Sequence, residues 1–143
     1  MWLDDAFLQA KGENTAQSTH IIDQTGEQTI LTITRVINEG IPAIARTFLG
    51  ESITLVETQT WGHPVDGVRN ATVGLTVRNA PATVTGTISL NPIATGTLVS
   101  IHFDIKVAVP LFGATAESVI KEQLERFIRA EQVIGNAWLA SHQ

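Results

Sequence analysis

Few residues in this chain are equipped to do chemistry. Four histidines, His20, His63, His102 and His142, are spread along it without a metal-ligand spacing such as H-E-x-x-H, and there is no cysteine to join them. The sequence has no G-x-S-x-G, no phosphate-cradling glycine loop and no G-x-G-x-x-G. It therefore predicts no nucleophile elbow, nucleotide site, metal or other cofactor. What stands out is a set of polar residues inside apolar strand patterns: Arg35 between Ile33 and Ile37, and Glu57 with Gln59 between Leu55 and Trp61. A buried charge is costly unless paired. Arg35 and Glu57 thus either meet, reach solvent at a cavity mouth, or touch the polar end of a ligand; a bulge or edge position facing water is the plainer reading. Glu57 or His63 as acid or base would make an enzyme of cyclase or hydrolase type. No second titrating group can be placed beside Glu57, however, so binding ranks above catalysis and the question of an enzyme stays open.

The elements that position these residues follow from periodicity. From residue 17 to 107, β-branched or apolar residues alternate with polar ones, which predicts strands at 17–24, 28–37, 51–61, 68–78, 82–91 and 97–108. Turn-forming "QTGEQ", "PVDG", "RNAP" and "PIATG" between them suit antiparallel hairpins. "EGIPAIARTFLG" interrupts the series as a short helix or turn of helix, with Pro42 near its start, Gly50 after its end, and Ile41, Ile44, Ala45, Phe48 and Leu49 on its buried side. Every second strand residue shares a face, so Leu55, Trp61, Val73, Leu75, Val84, Ile88 and Phe103 lie on one dry face while Thr85, Thr87, His102, Asp104 and Lys106 lie on a wet one. "WGHPVDG" reads as turn chemistry first, with His63 at a cavity mouth second.

Residues 115–140 repeat apolar side chains at helical spacing, through Ala116, Ile120, Leu124, Phe127, Ile128, Ile134 and Trp138, with Thr115 as N-cap and Glu117 in the first turn. Only a broad curved sheet offers a dry surface long enough to cover that stripe, so the helix should lie across the concave face. The expected fold class is α+β, with about six antiparallel strands wrapped on a C-terminal helix in one domain, 1–143. Between them we expect a mostly apolar pocket of a few hundred cubic ångströms, with space left by the small Gly86. Arg35, Glu57 and Gln59 would be its polar groups and Trp61, Leu75, Ile88, Phe103, Leu124, Phe127 and Ile128 its walls, although large aromatics such as Trp61 and Trp138 are more often plain core.

Composition sets the outer limits. The 143 residues carry 43% hydrophobic and only 16% charged residues, with net charge −5. The nine Lys and Arg are scattered, which argues against nucleic acid as a partner. No apolar run reaches the roughly 20 residues of a membrane span, and "MWLDDAFLQAKG" has acids where a signal peptide carries bases. A cytoplasmic protein that binds a hydrophobic small molecule is the expectation, with a filled-core structural or interaction domain as the further alternative.

Four blocks stand out: "GIPAIARTFLG", then "QTWGHPVDGV" with W-x-x-P-x-x-G, "APATVTGTISL" with P-x-x-x-x-G-T and "KVAVPLFGATAESVIKEQL" with V-P-x-x-G-x-x-x-E. The arrangement resembles the START-like (SRPBCC) superfamily of polyketide cyclases and the birch-pollen allergen, and most closely an actinobacterial family of unknown function within it. That resemblance implies a helix-grip fold enclosing an apolar cavity that takes lipids, sterols or polyketides. It also implies that a first strand of the family is missing here, which would leave the strands at 17–24 and 97–108 with open edges. A second copy of the chain in a homodimer, or Met1–Ala10 folded over the edge of a monomer, would cover them.

Overall fold

The structure, a computed structural model, describes residues 1–12, 17–39, 41, 43–78, 80–108 and 113–142. Its order is α1 (Asp5–Gly12), β1 (Gln17–Thr25), β2 (Gln28–Ile37), α2 (Ala43–Leu49), β3 (Ile53–Trp61), β4 (Arg69–Val77), β5 (Ala82–Ile93), β6 (Gly96–Val107) and α3 (Gly113–Ser141). The fold class is α+β: one six-stranded antiparallel sheet in sequential order, curved, with the long C-terminal helix held against it. All six expected strands form, with ends shifted by at most two residues. Pro42 and residues 109–112 lie outside the described residues, as do the side chains of Ile44, Ala45 and Phe48.

Tight turns set the registers. At "VDGV" Asp66 and Gly67 both have positive φ, 51° and 81°, and Val65 and Val68 exchange backbone hydrogen bonds of 2.8 and 3.0 Å. A two-residue turn with both central residues left-handed matches the twist of the strands it joins, which is why Asp-Gly is favoured there. The registers then place Trp61, Ala71 and Ile88 in one cross-strand row, Val73, Gly86 and Phe103 in another, and Leu75, Val84 and Ile105 in a third, all on the concave face.

α3 begins at Gly113, two residues before the expected start, so Thr115 lies inside the helix and Glu117 beyond its first turn. Glu117 takes a different role: its Oε1 accepts the Val107 backbone N–H at 3.2 Å, tying helix to strand. At about 1.5 Å per residue the 29 residues of α3 span about 43 Å.

The N-terminal segment plays a larger part than its length suggests. Asp4 caps α1 by accepting the Phe7 N–H at 3.0 Å, and Phe7 and Leu8 are buried completely or nearly so. Leu8 packs with Leu31 and Ile33, while Trp2 and Leu3 pack against Trp61, Ala71, Val73 and Ile88. Gly135 of α3 permits the close approach on the other side, since a side-chain carbon there would meet the Met1 thioether at 3.3–3.4 Å. Residues 1–12 thus fill one end of the concave face, and Gly12 abuts Ser18 near the β1 edge. Along β6 the outer edge stays open among the described residues.

Candidate functional site

Where α1 stops covering the sheet, a cavity of about 340 Å³ lies between β2–β6 and α3. Its sheet side is Ile37, Ile53, Leu55, Val73, Leu75, Val77, Ala82, Val84 and Phe103; its helix side is Val119, Ile120, Leu124, Phe127, Ile128 and Ile134; Ile41 and Leu49 close it beside α2. Parity explains the sheet side, since these are the inward positions of their strands, and the three- and four-residue spacing of α3 explains the other. Phe127 is 38% exposed, which puts the rim of the cavity at the middle of α3.

Charged groups meet the cavity in two pairs. Arg35 Nη1 donates to Glu57 Oε2 at 2.7 Å, and the two side chains are only 11% and 13% exposed. Arg35 stands opposite Leu55 and Glu57 opposite Ile33, so the pair is a diagonal one, within reach because both side chains are long. Lys11, at the end of α1, places its ammonium 2.9 Å from Glu131 Oε1 of α3, an ion pair rather than an aligned hydrogen bond. The same ammonium lies 5.2 Å from the centre of the Trp2 ring and 5.7 Å from that of Phe7. Glu39 and Gln123 add exposed and half-buried polar atoms to the lining.

The Glu57 carboxylate is fully engaged. Gln59 Nε2 donates to its Oε1 at 2.6 Å, and Trp61 Nε1 donates to Gln59 Oε1 at 2.9 Å, so one chain of hydrogen bonds runs from the packed core to the cavity wall. Burial pushes the Glu57 pKa up; the charges of Arg35 and Lys11 and the hydrogen bonds from Gln59 and Arg35 outweigh that push and hold it below its ordinary value. A carboxylate kept ionised and with both oxygens occupied is a structural anion. It is a poor general acid and a weak base.

Of the residues expected to form the site, Arg35, Glu57, Leu75, Phe103, Leu124, Phe127 and Ile128 line the cavity. Gln59, Trp61 and Ile88 do not: all three are buried on the concave face, Trp61 and Ile88 in the cluster against which Trp2 and Leu3 pack and Gln59 bonded to Trp61. Trp138 does not line the cavity either: it is half-buried, edge-on to Phe7 with ring centres 6.2 Å apart and stacked on His142 at 4.0 Å, and its Nε1 has no hydrogen-bond partner among the described residues. His63 is exposed in the β3–β4 turn and away from the lining, which removes it as a mouth residue and as an acid or base there. Gly86 leaves no void, since a side-chain carbon there would come within 2.6 Å of the Phe103 ring and still closer to the His102 carbonyl oxygen. A second, open depression of about 320 Å³, lined by Met1, Trp2, Leu3, Asp4, Trp61, Arg69 and Leu90, lies at the surface of the end that the N-terminal segment covers.

Lys11 and Glu131 escaped the sequence reading because they meet across 120 residues of chain. The signal was present in Leu3, Phe7 and Leu8, whose spacing marks a buried helix face and so carries Lys11 inward. Among the described residues no group of three or more His, Asp or Glu could hold a metal ion, and no helix is long and apolar enough to cross a membrane.

Comparison with known proteins finds mycobacterial relatives. The chain is 24% identical over 115 residues to uncharacterized proteins of Mycobacterium bovis and of two Mycobacterium tuberculosis strains, a match covering 79% of this chain and 66% of each relative. The matched part is therefore just under two thirds of the relatives' own length. The DUF2505 family, described as proteins of unknown function, matches residues 1–139, and the chain belongs to that family.

Proposed function

We propose that the protein binds a hydrophobic small molecule, of lipid or polyketide-like character, in the cavity between the sheet and α3, and that its helix-grip fold belongs to the START-like superfamily. The observation that carries this reading is a cavity of about 340 Å³ walled mainly by aliphatic side chains and Phe103, Phe127. Its size is at the lower end of the range typical of ligand sites, and a few convergent polar groups in an apolar surround are what such sites use to orient a ligand. Arg35 and Lys11 have N–H donors beyond those their carboxylate partners take, free to meet a hydroxyl or carbonyl oxygen. The engaged state of Glu57 supports binding over cyclase- or hydrolase-type catalysis. A cytoplasmic setting goes with this reading.

Native mass spectrometry of protein purified from its own host tests it, paired with titration by the uncharged fluorophore Nile red. The expected outcome is a co-purifying apolar compound, or saturable one-to-one Nile red binding that Leu75→Trp abolishes by filling the cavity. No bound compound and no Nile red binding to the folded protein would sink the proposal.

A further inference from the structure

We propose that the outer edge of β6 pairs antiparallel with β6 of a second copy of this chain, about a two-fold axis through Phe103. β6 is the twelve-residue last strand of an open sheet, with a strand on one side only among the described residues. Successive residues of a strand direct their N–H and C=O groups to alternate sides. The Ala108 N–H reaches inward to Pro81 O at 2.9 Å, and the His102 carbonyl lies against Gly86 of β5. The Val107 N–H turns the other way, to Glu117. Val99, Ile101, Phe103 and Ile105 therefore present their backbone groups to the open side. An exposed row of this kind is a template for another strand, and Asp104 and Lys106 are its only charges at neutral pH, with no proline.

Side chains choose the occupant and the register. In a continuous antiparallel sheet related by a two-fold axis, concave-face residues stand opposite concave-face residues, so paired residue numbers sum to an even value. With Phe103 opposite its own counterpart, Ile101 faces Ile105 on the concave side, and His102 faces Asp104 twice on the convex side. These two are exposed, 75% and 78%, and 3.8 Å apart within one chain, so both are free to turn to a partner. They would stand at the non-hydrogen-bonded positions, where side chains approach most closely. A shift by one residue to centre on His102 sets His102 against itself, and a shift to centre on Asp104 sets Asp104 against itself and His102 against Lys106. Centring on Ile105 puts the Val107 N–H, which Glu117 already holds, opposite Phe103 near the middle of the ladder, whereas centring on Phe103 involves it only at the terminal Val99–Val107 pair, which can stay open. β1, the other edge, lacks such a match: His20 and Asp23 differ in parity, and His20 is bonded to Asp5 at 2.8 Å.

Sedimentation velocity of the full chain over the micromolar range tests this, with circular dichroism to confirm that each variant folds. The expected result is a species of twice 15.4 kDa. His102→Asp, which sets like charges opposite each other twice, should weaken dimerisation about tenfold, and Ile101→Pro, which removes an outward N–H, should lower it further. The swap His102→Asp with Asp104→His should restore the wild-type value. A monomer at every concentration overturns the proposal, as does a dimer indifferent to these substitutions or a swap no better than His102→Asp alone.

Discussion

The concave face has two ends that look alike in sequence and differ in what covers them. Under Trp2, Leu3, Phe7 and Leu8, the residues Trp61, Ala71, Ile88, Leu31 and Ile33 form a packed core in which Trp61 is 1% and Leu31 0% exposed. Towards α2, Leu55, Leu75, Val77 and Val84 face α3 across open space. Both ends obey the same alternation of apolar and polar residues. The difference lies in the covering layer: a short helix brings two large side chains to one end, and at the other the long helix must bridge the curve of the sheet by itself. Hollowness is thus a property of which element reaches where, and only secondarily of strand composition.

The largest expected effect comes from removing the filler. Phe7→Ala should cost about 3–5 kcal/mol in urea unfolding, the range for truncating a fully buried aromatic. Leu124→Ala, whose side chain already borders empty space, should cost roughly 1 kcal/mol, below the usual range because fewer contacts are lost. Equal costs would break the distinction between the ends. At the border between them stands Glu57, and Glu57→Met should cost about 3 kcal/mol because Arg35 is left buried without its anion. Adding Arg35→Met should recover most of that loss; a double variant as unstable as the single one would show that the pair is not the relevant unit.

The smallest effect is a pH dependence. Glu57 has a folded-state pKa below the ordinary 4.5, so its contribution to stability is complete above about pH 4.5 and is lost as pH falls through the folded value. Acid titration of stability should therefore be shallower in Glu57→Gln than in the parent. A steeper titration in the variant would contradict the sign.

Much of this was legible beforehand because it is local. Alternation located all six strands, and parity put Arg35, Glu57 and Gln59 on the inner face, where Arg35 and Glu57 do meet. The bland reading, that a bulge or edge turns them to water, is excluded by their burial. The helix boundary was off by two residues at its start because capping chemistry at Thr115 competes with a helix that continues through it. What local pattern could not say is which inward residues are covered. Trp61 and Leu75 share the same inward parity on neighbouring strands, and only the landing site of residues 1–12, a long-range contact, separates core from cavity wall. Gly86 misled for a related reason: small size can mean a void or a neighbour too close for anything larger, and the approach of β6 decides for the second.

The most direct test makes one substitution at each end. Ala71 and Ala82 are both buried on the concave face, 3% and 5% exposed, one beside Trp61 and Ile88 and the other lining the cavity. Ala71→Leu should overpack its end and cost about 1–3 kcal/mol, whereas Ala82→Leu should find room and change stability by less than about 0.5 kcal/mol or raise it, as cavity filling does. Equal destabilisation by the two variants in urea unfolding would contradict the account.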